Sequence, residues 1–188
     1  HYLEIFIEAI LQSLEDLKSS SLVVGGDGRY GNIEAIEKIV QICIAHKVQK
    51  VIVPKYGLLS TPATSHLIRK ENAIGGIILS ASHNPGGIDG DFGVKLNISN
   101  GGPAPEIITN KIFKASQLLT SYKICKIQLP DFSEYGTYPY DETTLEIIDG
   151  LTDYSNLMEK IFDFDQISDF LKKDFSLIFD AMNAVTGP

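Results

Sequence analysis

Apolar and polar residues alternate along the chain in patterns that predict three helices and three strands over its first eighty residues. Leu3, Phe6, Ile7 and Ile10 begin an apolar stripe at helical spacing, with glutamates on the opposite face. Short apolar runs typical of buried strands lie between such stripes. The predicted helices cover residues 3–17, 33–46 and 61–70, and the predicted strands cover residues 21–24, 51–53 and 73–79.

This alternation favours an α/β fold, in which a mixed, mostly parallel sheet is sandwiched between helices. The next segment, residues 80–105, is rich in glycine and proline and has no helical period, apart from a strand-like stretch from Phe92 to Leu96. A long glycine-rich stretch inside a compact domain is usually functional or disordered. The sequence therefore directs attention to this segment.

The remaining residues predict a more irregular second half. Residues 105–119 have a helical pattern, residues 123–129 alternate like an exposed or edge strand, and residues 145–149 resemble a buried strand. Between them, residues 130–143 are interpreted as a surface loop, which its tyrosines could anchor. Two short helices are expected near residues 155–162 and 165–172, followed by a strand over residues 176–180.

Composition and charge narrow the function classes. The chain has 188 residues and a formal net charge of -8. This charge disfavours binding to nucleic acids and to anionic membranes, and no apolar run is long enough for a membrane span. The two cysteines, Cys43 and Cys125, lie outside any paired motif, which favours a reducing compartment and hence a cytoplasmic location.

The segment with candidate chemistry runs from Ser80 to Gly87 and directly follows a buried strand. Ligands of α/β sheets bind beyond the carboxyl ends of the strands, where a serine hydroxyl can carry a phosphoryl group and glycines admit a phosphate to the backbone. The simpler interpretation is a plain turn, because serine, asparagine, proline and glycine all favour turns. A Ser82–His83 catalytic pair is rejected, because neighbouring side chains of an extended segment point to opposite sides.

The order of several motifs decides between these interpretations. Ser82-His83-Asn84-Pro85-Gly86-Gly87 resembles the active-serine loop of the phosphohexomutases, and specifically of the eukaryotic phosphoglucomutases. Further matches in the same order are Gly25-Gly26-Asp27-Gly28-Arg29, Gly57-Leu58-Leu59-Ser60-Thr61-Pro62-Ala63, Gly90-Asp91-Phe92-Gly93-Val94-Lys95 and Asn97-Ile98-Ser99-Asn100-Gly101-Gly102. Each motif alone is weak, whereas the ordered set is highly specific.

The resemblance implies a reaction and a set of roles. It implies that Ser82 carries a phosphoryl group and exchanges it with glucose 1-phosphate or glucose 6-phosphate through glucose 1,6-bisphosphate. It also implies that Mg2+ is bound, with Ser82 supplying one ligand position through its phosphate. His83 and Lys95 are assigned as catalytic, and Arg29 and Asn84 as candidate phosphate-binding residues, although a structural ion pair with Asp27 is favoured for Arg29.

The resemblance also implies a domain organisation. Residues 1–174 correspond to phosphohexomutase domain I without its extreme amino terminus, and residues 175–188 to the first strand of a second, similar domain. The three-aspartate metal loop, the sugar-specificity loop and domains III and IV are absent, so the chain alone is expected to be inactive without those remaining domains. The alternative functions are a catalytically weak phosphoglucomutase-like scaffold or signalling protein, and a phosphatase or sugar-phosphate-binding domain.

Overall fold

The computed structural model describes residues 1–187, which form an α/β/α arrangement around one sheet. The strands are β1 (Ser21–Gly26), β2 (Lys50–Pro54), β3 (Gly75–Leu79), β4 (Val94–Ile98), β5 (Gly136–Tyr140) and β6 (Thr143–Ile148). The α-helices are α1 (Tyr2–Ser13), α2 (Asn32–Ala45), α3 (Thr61–Lys70), α4 (Glu106–Leu118), α5 (Thr152–Ile161) and α6 (Phe164–Leu171).

The sheet has the strand order β4-β3-β1-β2-β6-β5 and confirms the predicted mixed, mostly parallel arrangement. The four inner strands β3, β1, β2 and β6 are parallel to one another. The outer strands β4 and β5 run antiparallel to their neighbours β3 and β6. The carboxyl ends of the four inner strands therefore lie along one edge of the sheet, and the loops that follow them can meet there.

Helices cover both faces of the sheet, because the inner strands are apolar on both sides. Leu22, Val24 and Val51 belong to the core beneath α1, α2 and α4. Val23 and Ile52 belong to the core beneath α3. Successive strand residues therefore point to opposite layers, as the period of two in a strand requires. No helix in the described residues is long and apolar enough to cross a membrane.

The prediction of a strand over residues 123–129 is wrong. The apolar side chains of this segment do pack against the core, as its alternating pattern suggests. Its backbone, however, bonds to the side of α2: the Cys125 N–H donates to the Gln41 carbonyl oxygen at 3.1 Å, and Gln41 Nε2 donates to the Ile127 carbonyl oxygen at 2.9 Å. The segment is extended but irregular, because a helix and not a strand supplies its partners.

The interpretation of residues 130–143 as a loop is also wrong in part, because the segment contains β5. Tyr138 and Tyr140 pack against the core from this strand, while Thr137 and Pro139 alternate with them on the exposed side. Pro139 is tolerated there because β5 is an edge strand, and the backbone on its outer side has no neighbouring strand to which an N–H must donate. The tyrosines anchor the segment, and they do so as part of the sheet.

The end of the described chain differs from the expected strand. Helices α5 and α6 are present near their predicted positions, but residues 176–180 form no strand. A strand needs a neighbour to accept its backbone hydrogen bonds, and within residues 1–187 the sheet described above does not extend to this segment. The division into domains at residue 174 stays a prediction.

Candidate active site

The site lies at the carboxyl edge of the sheet, where the segments after β1 and β3 meet. β3 ends at Leu79 and leads into the serine loop, which we define as residues 80–91. β1 ends at Gly26, and the next residue, Asp27, donates its backbone N–H to the Leu79 carbonyl oxygen at 3.0 Å. The two adjacent parallel strands therefore hold the start of the serine loop beside Asp27 and Arg29.

Ser82 is exposed and has an unusual backbone conformation. Its φ angle is +54°, in the left-handed region that non-glycine residues rarely adopt. Ser80, which is 8% exposed, fixes this geometry, because its Oγ accepts the Ser82 N–H at 3.0 Å. Such strained positions concentrate at functional sites. The role of Ser80 was not anticipated from the sequence, in which it read as part of a turn.

Hydrogen bonds within the serine loop close it into a compact turn. Asn84 Nδ2 donates to Asp91 Oδ2 at 2.9 Å, and the Asp91 N–H donates to the Pro85 carbonyl oxygen at 2.9 Å. Gly90 lies so close to this turn that a Cβ atom there would be 2.5 Å from the Pro85 carbonyl oxygen. Asn84 and Asp91 thus hold the loop together, and Asp91 is a further functional candidate that the sequence analysis did not single out.

Lys95 reaches Ser82 from the neighbouring strand. It lies on β4, where the antiparallel register pairs it with Ile78 of β3, and its Nζ donates to Ser82 Oγ at 3.3 Å. The structure therefore places an ammonium group directly beside the candidate phosphoryl carrier. Both groups are exposed at the edge of the sheet, where a ligand can reach them.

Arg29 connects the two ends of the serine loop to the end of β1. Its guanidinium group binds Asp27 through Nε at 3.0 Å and through Nη2 at 2.8 Å, and its side chain is only 7% exposed. It also donates from Nη2 to the Ser82 carbonyl oxygen at 3.2 Å and from Nη1 to the Asp91 carbonyl oxygen. The favoured structural role for Arg29 agrees with this geometry, since its donors are used within the protein.

The ion pair also sets the charge state of Asp27. Burial opposes ionisation of the Asp27 carboxyl, but hydrogen bonds from Arg29 and Ser80 outweigh this effect and lower its pKa. Asp27 is therefore a carboxylate at neutral pH and keeps Arg29 oriented towards the loop.

His83 follows Ser82 but does not act on its hydroxyl in this structure. It is exposed, and within residues 1–187 no hydrogen bond joins it to Ser82. It lines a pocket of about 970 Å³ together with Asp27, Arg29, Ser82 and the glycines of the loop. A pocket of this size beside Ser82 can admit a sugar phosphate.

The described residues do not by themselves form a metal cage. No group of three histidine, cysteine, aspartate or glutamate side chains comes together within residues 1–187 in a way that could hold a metal ion. A phosphate on Ser82 would present oxygen ligands of the kind that Mg2+ prefers, but one such group fills only part of an octahedral shell.

Comparisons with known proteins agree with this site. A family model described as phosphoglucomutase/phosphomannomutase, alpha/beta/alpha domain I, matches residues 1–123. The phosphoglucomutase of Aspergillus oryzae is 51% identical over 191 residues, which include 100% of this chain and 34% of that protein. Phosphoglucomutase 2 of Saccharomyces cerevisiae is 48% identical over 202 residues, which cover 100% of this chain and 35% of that protein.

Solved structures show the same similarity. The structure of the exocytosis-sensitive phosphoprotein pp63/parafusin (phosphoglucomutase) from Paramecium, in its open form, superimposes with a TM-score of 0.93 at 40% identity, covering 100% of this chain and 36% of that one. A putative phosphomannomutase from Thermus thermophilus, at 24% identity and a TM-score of 0.63, shares the fold. The chain spans about a third of the length of the curated relatives it matches. The chain belongs to the phosphoglucomutase/phosphomannomutase family and contains its α/β/α domain I.

Proposed function

We propose that the protein containing this chain is a phosphoglucomutase, which interconverts glucose 1-phosphate and glucose 6-phosphate through a phosphoserine at residue 82. The observation that carries the proposal is the contact between Lys95 Nζ and Ser82 Oγ at 3.3 Å. It occurs at the ligand-binding edge of the sheet, in a chain about half identical to phosphoglucomutases along its whole length.

In the proposed reaction, Ser82 first gives its phosphoryl group to the free hydroxyl of a bound glucose monophosphate. The bond between phosphorus and Ser82 Oγ breaks, and a bond between phosphorus and the sugar oxygen forms. The proton that the sugar hydroxyl loses is balanced by the proton that Ser82 Oγ gains, so glucose 1,6-bisphosphate and a free serine hydroxyl result. The bisphosphate then reorients within the site and transfers its other phosphoryl group to Ser82 Oγ. The products are an isomerised monophosphate and a regenerated phosphoserine, so phosphorus is conserved.

Lys95 contributes charge at the atom where charge develops. As the bond from phosphorus to Ser82 Oγ breaks, negative charge grows on Oγ, and the Lys95 ammonium beside it stabilises that charge. The same group can hand a proton to Oγ and accept it back when the serine attacks. Phosphoryl transfer depends mainly on such positioning and charge stabilisation.

Arg29 and Asn84 support the reaction by positioning Ser82. Arg29 donates to the backbone of Ser82 and Asp91, and Asn84 bonds to the Asp91 side chain, so both act within the loop. Direct phosphate binding by Arg29 and Asn84, and a catalytic role for His83, stay predictions. The exposure of His83 in the pocket is compatible with contact to the sugar.

Magnesium enters this proposal only as an expectation. When bound, the ion would neutralise part of the phosphate charge, and the phosphate on Ser82 would supply one of its ligands. The other ligands would come from outside this chain, because residues 1–187 bring no suitable cluster together. Glucose 1,6-bisphosphate as activator, the remaining domains as partners and a cytoplasmic location are proposed on the same basis.

The test is a mutase assay on the full-length protein with glucose 1-phosphate, Mg2+ and a catalytic amount of glucose 1,6-bisphosphate. Ser82→Ala should abolish turnover and the incorporated phosphate, whereas Ser99→Ala, which removes an exposed serine elsewhere, should change neither. Peptide mass spectrometry should place the phosphate on Ser82. Phosphate on Ser80 or Thr61, or turnover by Ser82→Ala, would contradict the proposal.

The same assay separates the enzyme from the scaffold alternative. A protein that folds and carries Ser82 but shows no turnover above the Ser82→Ala variant would favour a scaffold or signalling role. Net hydrolysis of glucose phosphates without isomerisation would favour a phosphatase.

A further inference from the structure

A second polar groove begins beside Lys95 and runs away from the serine loop between α3 and β4. Thr61, Ser65 and Arg69 follow one another at four-residue spacing on α3 and line one side. Lys95 and Asn97, two residues apart on β4, line the other side, because residues two apart share one face of a strand and Asn97 on this face bonds to Ser65 of α3. We call this space, of about 520 Å³, the α3–β4 groove.

The turn after β4 closes the far end of the groove and fixes its shape. Asn97 is 4% exposed, and its Nδ2 donates to Ser65 Oγ at 3.2 Å and to the Gly101 carbonyl oxygen at 2.9 Å. Gly101 has a φ angle of +82°, and a Cβ there would lie 2.4 Å from Arg69 Nη1 and 2.5 Å from the Ser65 carbonyl oxygen. Only glycine allows the turn to pass this close to α3, so the groove is formed before any ligand arrives.

The groove is rich in hydrogen-bond donors and positively charged. Its lining includes Lys95 and Arg69 and, among residues 1–187, no aspartate or glutamate, although the chain as a whole carries a net charge of -8. Arg69 is exposed, and its Nη1 donates to the Asn100 carbonyl oxygen at 3.4 Å. Its other N–H groups have no acceptor within the described chain. A guanidinium group in this state fits a phosphate oxyanion, which can accept two of its donors at once.

We propose that the α3–β4 groove is a binding site for a phosphate dianion, held by the N–H groups of Arg69 that have no acceptor among the described residues, and distinct from the phosphate on Ser82. The proposal does not require the mutase reaction. Lys95 lines the opposite end of the groove, where its Nζ donates to Ser82 Oγ at 3.3 Å.

Two sources share this chemistry, namely free inorganic phosphate and the phosphate group of a sugar monophosphate. Both can be compared in the Ser82→Ala variant of the full-length protein, which cannot carry the phosphoserine. With 13C-labelled threonine methyl groups, the Thr61 methyl reports on the groove and the Thr152 methyl, outside its lining, serves as an internal control. We expect a saturable shift of the Thr61 signal on titration with inorganic phosphate or glucose 6-phosphate.

Arg69→Gln provides the decisive comparison. It should weaken the binding reported by Thr61 at least tenfold, whereas Lys114→Gln, which removes the same charge from an exposed site on α4, should change it less than twofold. Arg69→Lys keeps the charge but loses the paired donors, and should give an intermediate affinity. Similar affinities for the two ligands assign the groove to free phosphate, and at least tenfold tighter binding of glucose 6-phosphate assigns it to the sugar ester.

Two results would overturn the proposal. One is a Thr61 signal that does not move with either ligand, and the other is an affinity that is the same in Arg69→Gln as in its parent. Neither result would bear on the mutase proposal, which is tested separately through Ser82 and turnover.

Discussion

Arg29 offers the sharpest test of how the serine loop is held in place. Arg29→Lys keeps the positive charge but replaces a planar group with five donors by a single ammonium group. The lysine can remain paired with Asp27, but it cannot also reach the carbonyl oxygens of Ser82 and Asp91, which are held by separate nitrogens of Arg29. The variant therefore removes the connection between the ion pair and the loop.

The expected magnitude follows from the contacts that are lost. A hydrogen bond from a charged donor contributes about 1.5–3 kcal/mol, and the acceptors of the two lost bonds belong to the exposed residues Ser82 and Asp91, so the free energy of unfolding should fall by about 2 kcal/mol. The effect on catalysis should be larger, because a displacement of about 1 Å at the reacting group can reduce turnover about a hundredfold. We expect kcat to fall by that factor while KM changes little, since Arg29 does not need to touch the sugar.

Urea unfolding and steady-state mutase kinetics of the full-length protein measure these two effects. Lys47→Gln is the matched control, because it removes a half-exposed partner of Glu142 far from the loop and should leave both quantities nearly unchanged. The reasoning would be refuted if Arg29→Lys kept kcat within twofold of the parent. A loss confined to KM would also refute it, because it would mean that Arg29 binds the substrate directly.

Three further predictions follow from the same site. Lys95→Ala should lower kcat by about 10²–10³-fold, the usual cost of losing a charge-stabilising donor. Its melting temperature should change little, because Lys95 is an exposed residue on an edge strand. Early melting with normal turnover would show that Lys95 is structural. Because the pKa of Asp27 is lowered in the folded state by Arg29 and Ser80 despite its burial, its contribution to stability is complete above the unfolded pKa of about 4 and is lost as pH falls through the folded value. The stability difference between the parent and Asp27→Asn should therefore shrink as urea titrations move from pH 7 to pH 3, and a constant difference would exclude this linkage. Finally, the 188-residue chain alone should show no Mg2+-dependent mutase activity above its Ser82→Ala variant, because its described residues bring no metal cluster together; measurable activity would contradict our account of the site.

The inner part of the fold could be predicted from the sequence because its strands are buried on both faces. Every residue of a run such as Val51-Ile52-Val53 is apolar, which predicts a strand buried on both faces of the sheet. Edge segments are harder. Residues 123–129 have the alternation of a strand, yet their partner is Gln41 on a helix. β5 was missed because its proline and tyrosines resemble a loop.

The sequence identifies the main residues of the site, but it does not predict which of them contact one another. Ser82 and Lys95 could be named from a resemblance, but their contact depends on the antiparallel register of β3 and β4. Arg29 could be paired with Asp27, two residues away, from the sequence alone. Its bonds to Ser82 and Asp91 join residues more than fifty positions apart, and only tertiary structure brings them together. Residue spacing contains no information about such contacts.

The turn that follows β4 also covers part of the margin of the sheet. A strand at the edge of a sheet leaves unpaired backbone groups that can recruit a strand from another molecule. At the end of β4 some of these groups are already used, because the Ile98 N–H donates to the Gly102 carbonyl oxygen and the Ala104 N–H donates to the Leu96 carbonyl oxygen, both at 2.9 Å. The chain thus shields its own sheet margin with a few residues of returning backbone. The strand that presents Lys95 can then stay open to small ligands while its second half has fewer backbone groups free to pair with another strand.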